Sequence, residues 1–434
     1  MSRSHLLLGA LCLALLLALI ATAIPAPFTT DDCNYLSSVA GLRHGTLFVP
    51  GTAGLPPSRM LYAFDPMAHA LENPATPVPP LVPPLYAIIA YPFSYLGWRG
   101  LVLLNVLATL GTFVLVFVAA RRLAAQERAG WYAALLWLLG ASTLEYAQGL
   151  WPHMLAVSLT TAGMMLTALA ILHRRLVHAA LAGLLLALAA GMRYQNVVLV
   201  GSGLLVLLFW SRPRVRACAA FVLGTLPPLV TSAVINHVRI HSWNPVSKGA
   251  HYVSIGAGQA SSPVHEFFLS LWIRIVDYSA QPSFRDAYLR KTAGGDIVTW
   301  SVLKKSWLQG SPWVLVGLLI ILLAWSKRGF VDEFARSHLR MMALPLVSVL
   351  AVFGLAGVYR HDGVCFNQRY LLELAPLVAI AVGVCFSRLG LPWSTLVTGT
   401  VLGGGGAAIV LLELSGTIGY RAQNAKPGDL LSNG

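Results

Sequence analysis

Long apolar runs broken by short arginine-bearing turns leave this chain one class of fold. Leu6 to Ile24 is the first such run, and it holds no charged residue. About 20 apolar residues cross a bilayer as a helix. Only helices and closed barrels satisfy their backbone polar groups inside one. Further runs stand near 100–120, 131–147, 153–172, 176–192, 196–211, 217–236, 311–326, 341–358, 371–387 and 391–414. The expected fold is an all-α polytopic membrane protein of about 11 transmembrane helices, with two external loops that carry juxtamembrane helices. Of the 434 residues 57% are hydrophobic and 11% charged, too little charge to coat a soluble protein of this length.

The turns fix the sidedness. Arg3, Arg121-Arg122 with Arg128, Arg174-Arg175, Arg212/Arg214/Arg216, Lys327-Arg328 through Arg340, and Arg388 fall on one side, which the positive-inside rule makes the cytoplasm. The net charge of +14 has its source in these turns and does not read as a nucleic-acid surface. The opposite side receives a first external loop, 25–99, the segment 143–152, the turn at Arg193, a second external stretch, 237–310, and the loop 359–370. Leu81 to Leu96 is apolar but Pro-rich, and counting it as a span would reverse the alternation. It reads as a helix in the outer interface, where tyrosines are at home. The chain thus divides into an N-terminal transmembrane module, 1–236, the external region 237–310 and a C-terminal transmembrane module, 311–434. Ala21-Thr22-Ala23 also has the look of a signal cleavage site. The run before it exceeds a usual signal core, so it reads as an uncleaved first span.

Asp31 and Asp32 stand where the chain leaves that first span, in a sequence with 16 carboxylates in all. Two acids at a membrane surface suit general-base chemistry or a divalent cation. Thr29-Thr30-Asp31-Asp32 equally suits a helix N-terminus. Nothing else in the chain calls for a metal, since no dense His/Cys/carboxylate cluster is present.

Asp31-Asp32-Cys33-Asn34-Tyr35, followed by Ala40-Gly41-Leu42-Arg43-His44-Gly45, resembles the acidic motif and following helix of the GT-C superfamily of integral-membrane glycosyltransferases, relatives of the protein O-mannosyltransferases and the lipid A aminoarabinose transferases. Pro83-Pro84-Leu85-Tyr86 with Leu96-Gly97 resembles the juxtamembrane helix of its first loop. Leu104-Asn105 leading to Arg121-Arg122, and Leu181-Ala182-Gly183 to Gly191-Met192-Arg193, resemble later spans. Gln368-Arg369-Tyr370-Leu371-Leu372-Glu373-Leu374-Ala375-Pro376 resembles a late helix start. The resemblance covers roughly 1–215 and 355–390, and the chain is shorter than members that carry a large soluble domain.

The resemblance implies an enzyme that takes a hexosyl or pentosyl group from a polyprenyl-phosphate donor at the external membrane face and passes it, with inversion, to a hydroxyl of a glycan, lipid or protein. Asp31 or Asp32 would be the base. Arg193, Arg369 and Arg360 would meet the donor phosphate, with Lys304-Lys305 as weaker candidates. Tyr35, Glu145 and His153 would line the cleft, and Asp362 and Glu373 are lesser candidates. The expected location is a bacterial inner (plasma) membrane with the site on the periplasmic side. Cys12, Cys218 and Cys385 fall in spans. Cys33 and Cys365 are both external, and a disulfide between them would tie the acidic side of the cleft to the phosphate side. The alternative function is a transporter or flippase of a lipid-linked sugar. Few charges inside the spans argue against it, because polar residues within spans mark substrate paths.

Overall fold

A computed structural model describes residues 3–23, 30–48, 80, 82–139, 143–247 and 369–388, with isolated positions between 313 and 349. Among the described residues every regular element is helical. They are α1 (Arg3–Ala21), α2 (Thr30–Arg43), α3 (Leu85–Ser94), α4 (Trp98–Ala124), α5 (Glu127–Leu139), α6 (Thr143–Ala147), α7 (His153–His173), α8 (Leu176–Met192), α9 (Val197–Trp210), α10 (Arg214–Ile240) and α11 (Ala375–Arg388). Short 3-10 turns cover Tyr194–Asn196 and Arg369–Leu374. By length and composition α4, α7 and α10 are long and apolar enough to cross a bilayer. Shorter apolar helices cover Leu6–Ala21, Leu85–Ser94, Leu176–Met192 and Tyr194–Trp210. The chain is an integral membrane protein. The expected spans 311–326, 341–358 and 391–414 lie outside the described residues or touch them only at isolated positions.

Small residues set the closest helix pairs. α8 packs along α10 and α7. A Cβ on Gly183 would strike the Phe221 carbonyl, and one on Gly224 would strike that of Ala180. Glycine at both points lets two backbones approach where lipid supplies no hydrophobic drive. α11 lies against α5 and α4, and Arg128 donates to the Ser387 carbonyl at 2.6 Å. That bond closes the C-terminal end of α11, whose last carbonyls lack helical partners.

Over 131–147, read as one span, the described helices are α5, to Leu139, and α6, from Thr143, whose hydroxyl donates to the Trp137 carbonyl at 2.8 Å. One sequence boundary needs correction. The first span ends at Ala21 rather than Ile24, and Thr22 bonds back to the Ala18 carbonyl at 2.7 Å. By contrast, Arg193–Asn196 is the expected break between two short apolar helices.

Within the segment read over 81–96, the helix is the 10-residue α3, Leu85–Ser94. At about 1.5 Å per residue it is roughly 15 Å long, half a bilayer core. Gly97, at φ +66°, turns the chain sharply from α3 into α4, a conformation that favours glycine. Tyr91 and Tyr95 share a hydroxyl contact of 2.7 Å, and Arg43 lies over the Tyr95 ring at 5.5 Å, as an interfacial helix would have it. Tyr86 departs from that expectation, since it is fully buried against the bundle.

Candidate active site

The ends of the helices opposite the basic turns hold four of the residues singled out in the sequence: Tyr35, His153, Arg193 and Glu373. α2 supplies the acidic pair. Asp31 and Asp32 lie in its first turn, where negative charge complements the helix dipole. Their side chains, and that of Cys33, lie outside the described set. The helix that follows is buried all round from Tyr35 to Gly41, with Ser37 and Ser38 among the buried residues.

Tyr35 anchors this helix. Its hydroxyl donates to the Met192 carbonyl at 3.3 Å. Its ring meets the Tyr86 ring edge-on, with centroids 5.2 Å apart and planes at 81°. Tyr86 in turn donates to the Leu150 carbonyl at 2.9 Å. Two aromatic side chains therefore tie α2 to the end of α8 and α3 to the turn before α7, each through a backbone carbonyl.

The 148–153 turn is fixed from several sides. Asn105, buried within α4, donates to the carbonyls of Gly149 at 2.9 Å and Trp151 at 2.8 Å. Gln148 reaches the Thr22 hydroxyl at 2.6 Å, beside the end of α1. Tyr146 stacks on Trp151 at 5.0 Å, and His153 lies 4.5 Å from the Trp151 ring. His153, expected in the cleft, is thus packed into an aromatic cluster at the start of α7. Glu145 lies in α6, and its side chain is outside the described set.

Arg193 follows α8 in extended conformation. Its Nη1 lies 3.2 Å from Glu373 Oε1, with the two side chains only 4% and 2% exposed. With the Gln195 amide oriented oxygen-inward, that oxygen accepts from Arg193 Nε and Nη2 at 2.6 and 2.5 Å. In this arrangement the guanidinium expected at the phosphate is buried against Glu373 and Gln195. The charge is turned into a buried pair that joins the α8–α9 turn to the Arg369–Leu374 turn. Glu373, a lesser candidate in the sequence, is its partner. Arg369 opens that same 3-10 turn, four residues before Glu373, and its side chain is outside the described set. Arg360, Asp362, Cys365 and Lys304-Lys305 also lie outside the described residues, as does any bridge between Cys33 and Cys365. Cys12, Cys218 and Cys385 are free thiols.

Arg239 escapes a reading of the sequence alone. It is buried near the end of α10 and donates to the Pro80 and Val82 carbonyls, pinning the chain that enters α3. Its signal in the sequence is Asn236 and Arg239, polar residues one turn apart at the edge of the apolar run 217–236. Tyr194 sits against this pair. Burial pushes its phenol above the ordinary value of 10, while Asn236 and Arg239 pull it down. Among the described residues no three His, Cys, Asp or Glu side chains group as metal ligands do.

No family model and no curated protein matches the chain. Several solved structures do in fold, among them two with bound ligands. The chain is similar to ArnT from Cupriavidus metallidurans bound to undecaprenyl phosphate, with a TM-score of 0.53 at 12% identity, over 97% of this chain and 77% of that one. It is also similar to the oligosaccharyltransferase AglB from Archaeoglobus fulgidus in complex with an inhibitory peptide and a dolichol-phosphate, with a TM-score of 0.52 at 13% identity, over 98% of this chain and 57% of that one.

Proposed function

We propose that this chain, whose fold is that of the GT-C glycosyltransferases, transfers a sugar from a polyprenyl-phosphate donor to an acceptor hydroxyl at the external membrane face. The observation that carries the reading is the convergence of the acid-bearing α2, the juxtamembrane α3 and the turn at Arg193 on one end of the bundle, joined through Tyr35 and Met192. The ArnT structure holds undecaprenyl phosphate and the AglB structure a dolichol-phosphate, which supports the donor class.

The chemistry asked of this end is one displacement. The acceptor oxygen forms a bond to the anomeric carbon as the bond from that carbon to the phosphate oxygen breaks, which inverts the centre. Asp31 or Asp32 takes the hydroxyl proton. The departing phosphate gains negative charge and needs cationic hydrogen-bond donors, for which the planar guanidinium is suited. Arg369 and Arg360 are the proposed donors. Arg193, held by Glu373, fixes the turn to which Arg369 belongs. The acceptor is a glycan, lipid or protein hydroxyl, and the transferred group a hexose or pentose.

Purified protein in lipid nanodiscs, given radiolabelled polyprenyl-phosphate sugars and an envelope extract from a deletion strain, tests the reading. Transfer of label that disappears with Asp31→Asn or Asp32→Asn is the expected result. Full transfer in both variants would sink it.

A further inference from the structure

We propose that Tyr35 is a positioning residue that sets the acid-bearing turn of α2 against the Arg193 turn, the two being strapped together without a covalent bond. The inference rests on the function proposed above and adds to it the part that holds the base.

Two contacts and one shared turn form the strap. Tyr35 Oη donates to the Met192 carbonyl at 3.3 Å. Arg193, the next residue, pairs with Glu373 at 3.2 Å. Glu373 belongs to the same turn as Arg369. The acidic side and the phosphate side of the site are therefore joined through a single peptide unit, Met192-Arg193. The Met192 carbonyl ends α8, and the last carbonyls of a helix have no partner within it. Tyr35 supplies one.

The rotation of α2 needs a directional contact close to the acids. The helix is 14 residues long and is not a span. Asp31 and Asp32 precede Tyr35 by four and three residues, one helical turn. Leu36, Val39 and Ala40 add apolar packing, which is non-directional, and Ser37 and Ser38 are buried beside them. The phenol adds a directional contact one turn from the acids. A displacement of about 1 Å in a catalytic group can cost on the order of 10²-fold in rate. Loss of the Tyr35 hydroxyl therefore falls on the chemical step and leaves donor binding alone, because the Arg193–Glu373 arm of the strap stays intact.

The test is Tyr35→Phe in the full chain in nanodiscs, which keeps the edge contact with Tyr86 and removes only the hydroxyl. Single-turnover transfer should fall about tenfold or more while donor KM stays within about twofold. Hydrogen exchange across residues 30–43 should rise, with that of α4 unchanged. Leu207→Ala in α9 is the packing control, expected to lower the unfolding temperature and leave the transfer rate near wild type. A Tyr35→Phe rate within twofold of wild type overturns the positioning role, as does unchanged exchange in α2 or an equal rate loss in Leu207→Ala. If the wild type transfers no sugar, the function reading itself has failed and this role falls with it. If the wild type is active and Asp31→Asn or Asp32→Asn is dead, a failure of Tyr35→Phe to lose rate strikes the strap alone.

Discussion

Arg193 and Glu373, 180 positions apart in the chain, meet as a buried ion pair 3.2 Å across at the ends of two different apolar helices. The pair links a turn in the N-terminal half to the start of α11. Taking two charges out of water is costly, so the pair is weak as a source of net stability, yet losing one partner strands the other. Arg193→Ala and Glu373→Ala should each lower stability by about 3–5 kcal/mol. The double replacement Arg193→Met with Glu373→Leu should cost less than either single change. Unfolding of the purified variants in detergent gives the cycle, and additive losses would show that the two side chains do not act as a pair.

Removing the proposed base should affect turnover rather than folding. Asp31→Asn and Asp32→Asn keep the size of the side chain and its fit to the first turn of α2. The variant that loses the base should transfer sugar roughly 10²–10⁴-fold more slowly. Arg369→Ala should instead weaken donor use by about 1.5–3 kcal/mol, the scale of a hydrogen bond to a charged group. Comparing kcat and donor KM for the three variants separates the roles. Equal KM in wild type and Arg369→Ala would remove Arg369 from the phosphate.

Much of the fold is legible in the residues alone. Apolar run lengths and arginine turns place α4, α7, α8, α9 and α10 within a few residues, because burial in lipid leaves little choice of backbone. The Arg193 turn is legible for the same reason. Pairings between distant segments are not. Nothing local says that Arg193 faces Glu373, that Tyr35 reaches Met192, or that Arg239 holds Pro80 and Val82. Tyr86 misleads because a tyrosine near a membrane surface suits the interface and a buried carbonyl alike.

Arg239 should govern the order of the chain entering α3. It gives hydrogen bonds to two backbone carbonyls from a buried position. Arg239→Ala leaves both carbonyls without these bonds and should cost about 1–3 kcal/mol. Arg239→Lys should fall between, since an ammonium is a point charge without the rigid fork. Hydrogen exchange and limited proteolysis across 80–84 should increase in the order wild type, Arg239→Lys, Arg239→Ala. The same exchange in all three would mean that α3 is placed by apolar packing alone.

The closeness of α8 and α10 makes the sharpest demand on side-chain size. At Gly183 and Gly224 the atoms in the way are backbone carbonyls, which cannot swing aside as a flexible side chain does. Gly183→Val or Gly224→Val must push the helices apart, and overpacking of this kind costs about 1–3 kcal/mol or more. Separation would also strain the Met192 end of α8, where Tyr35 and Arg193 make their contacts, so transfer should fall together with stability. At Gly201 in α9 a Cβ would meet nothing within 4 Å. Gly201→Ala should therefore be neutral or stabilising, by up to about 1 kcal/mol from helix propensity. Unfolding temperature and the monodisperse fraction in size-exclusion chromatography measure all three variants. Wild-type behaviour of Gly183→Val and Gly224→Val would show that the two helices are not in backbone contact.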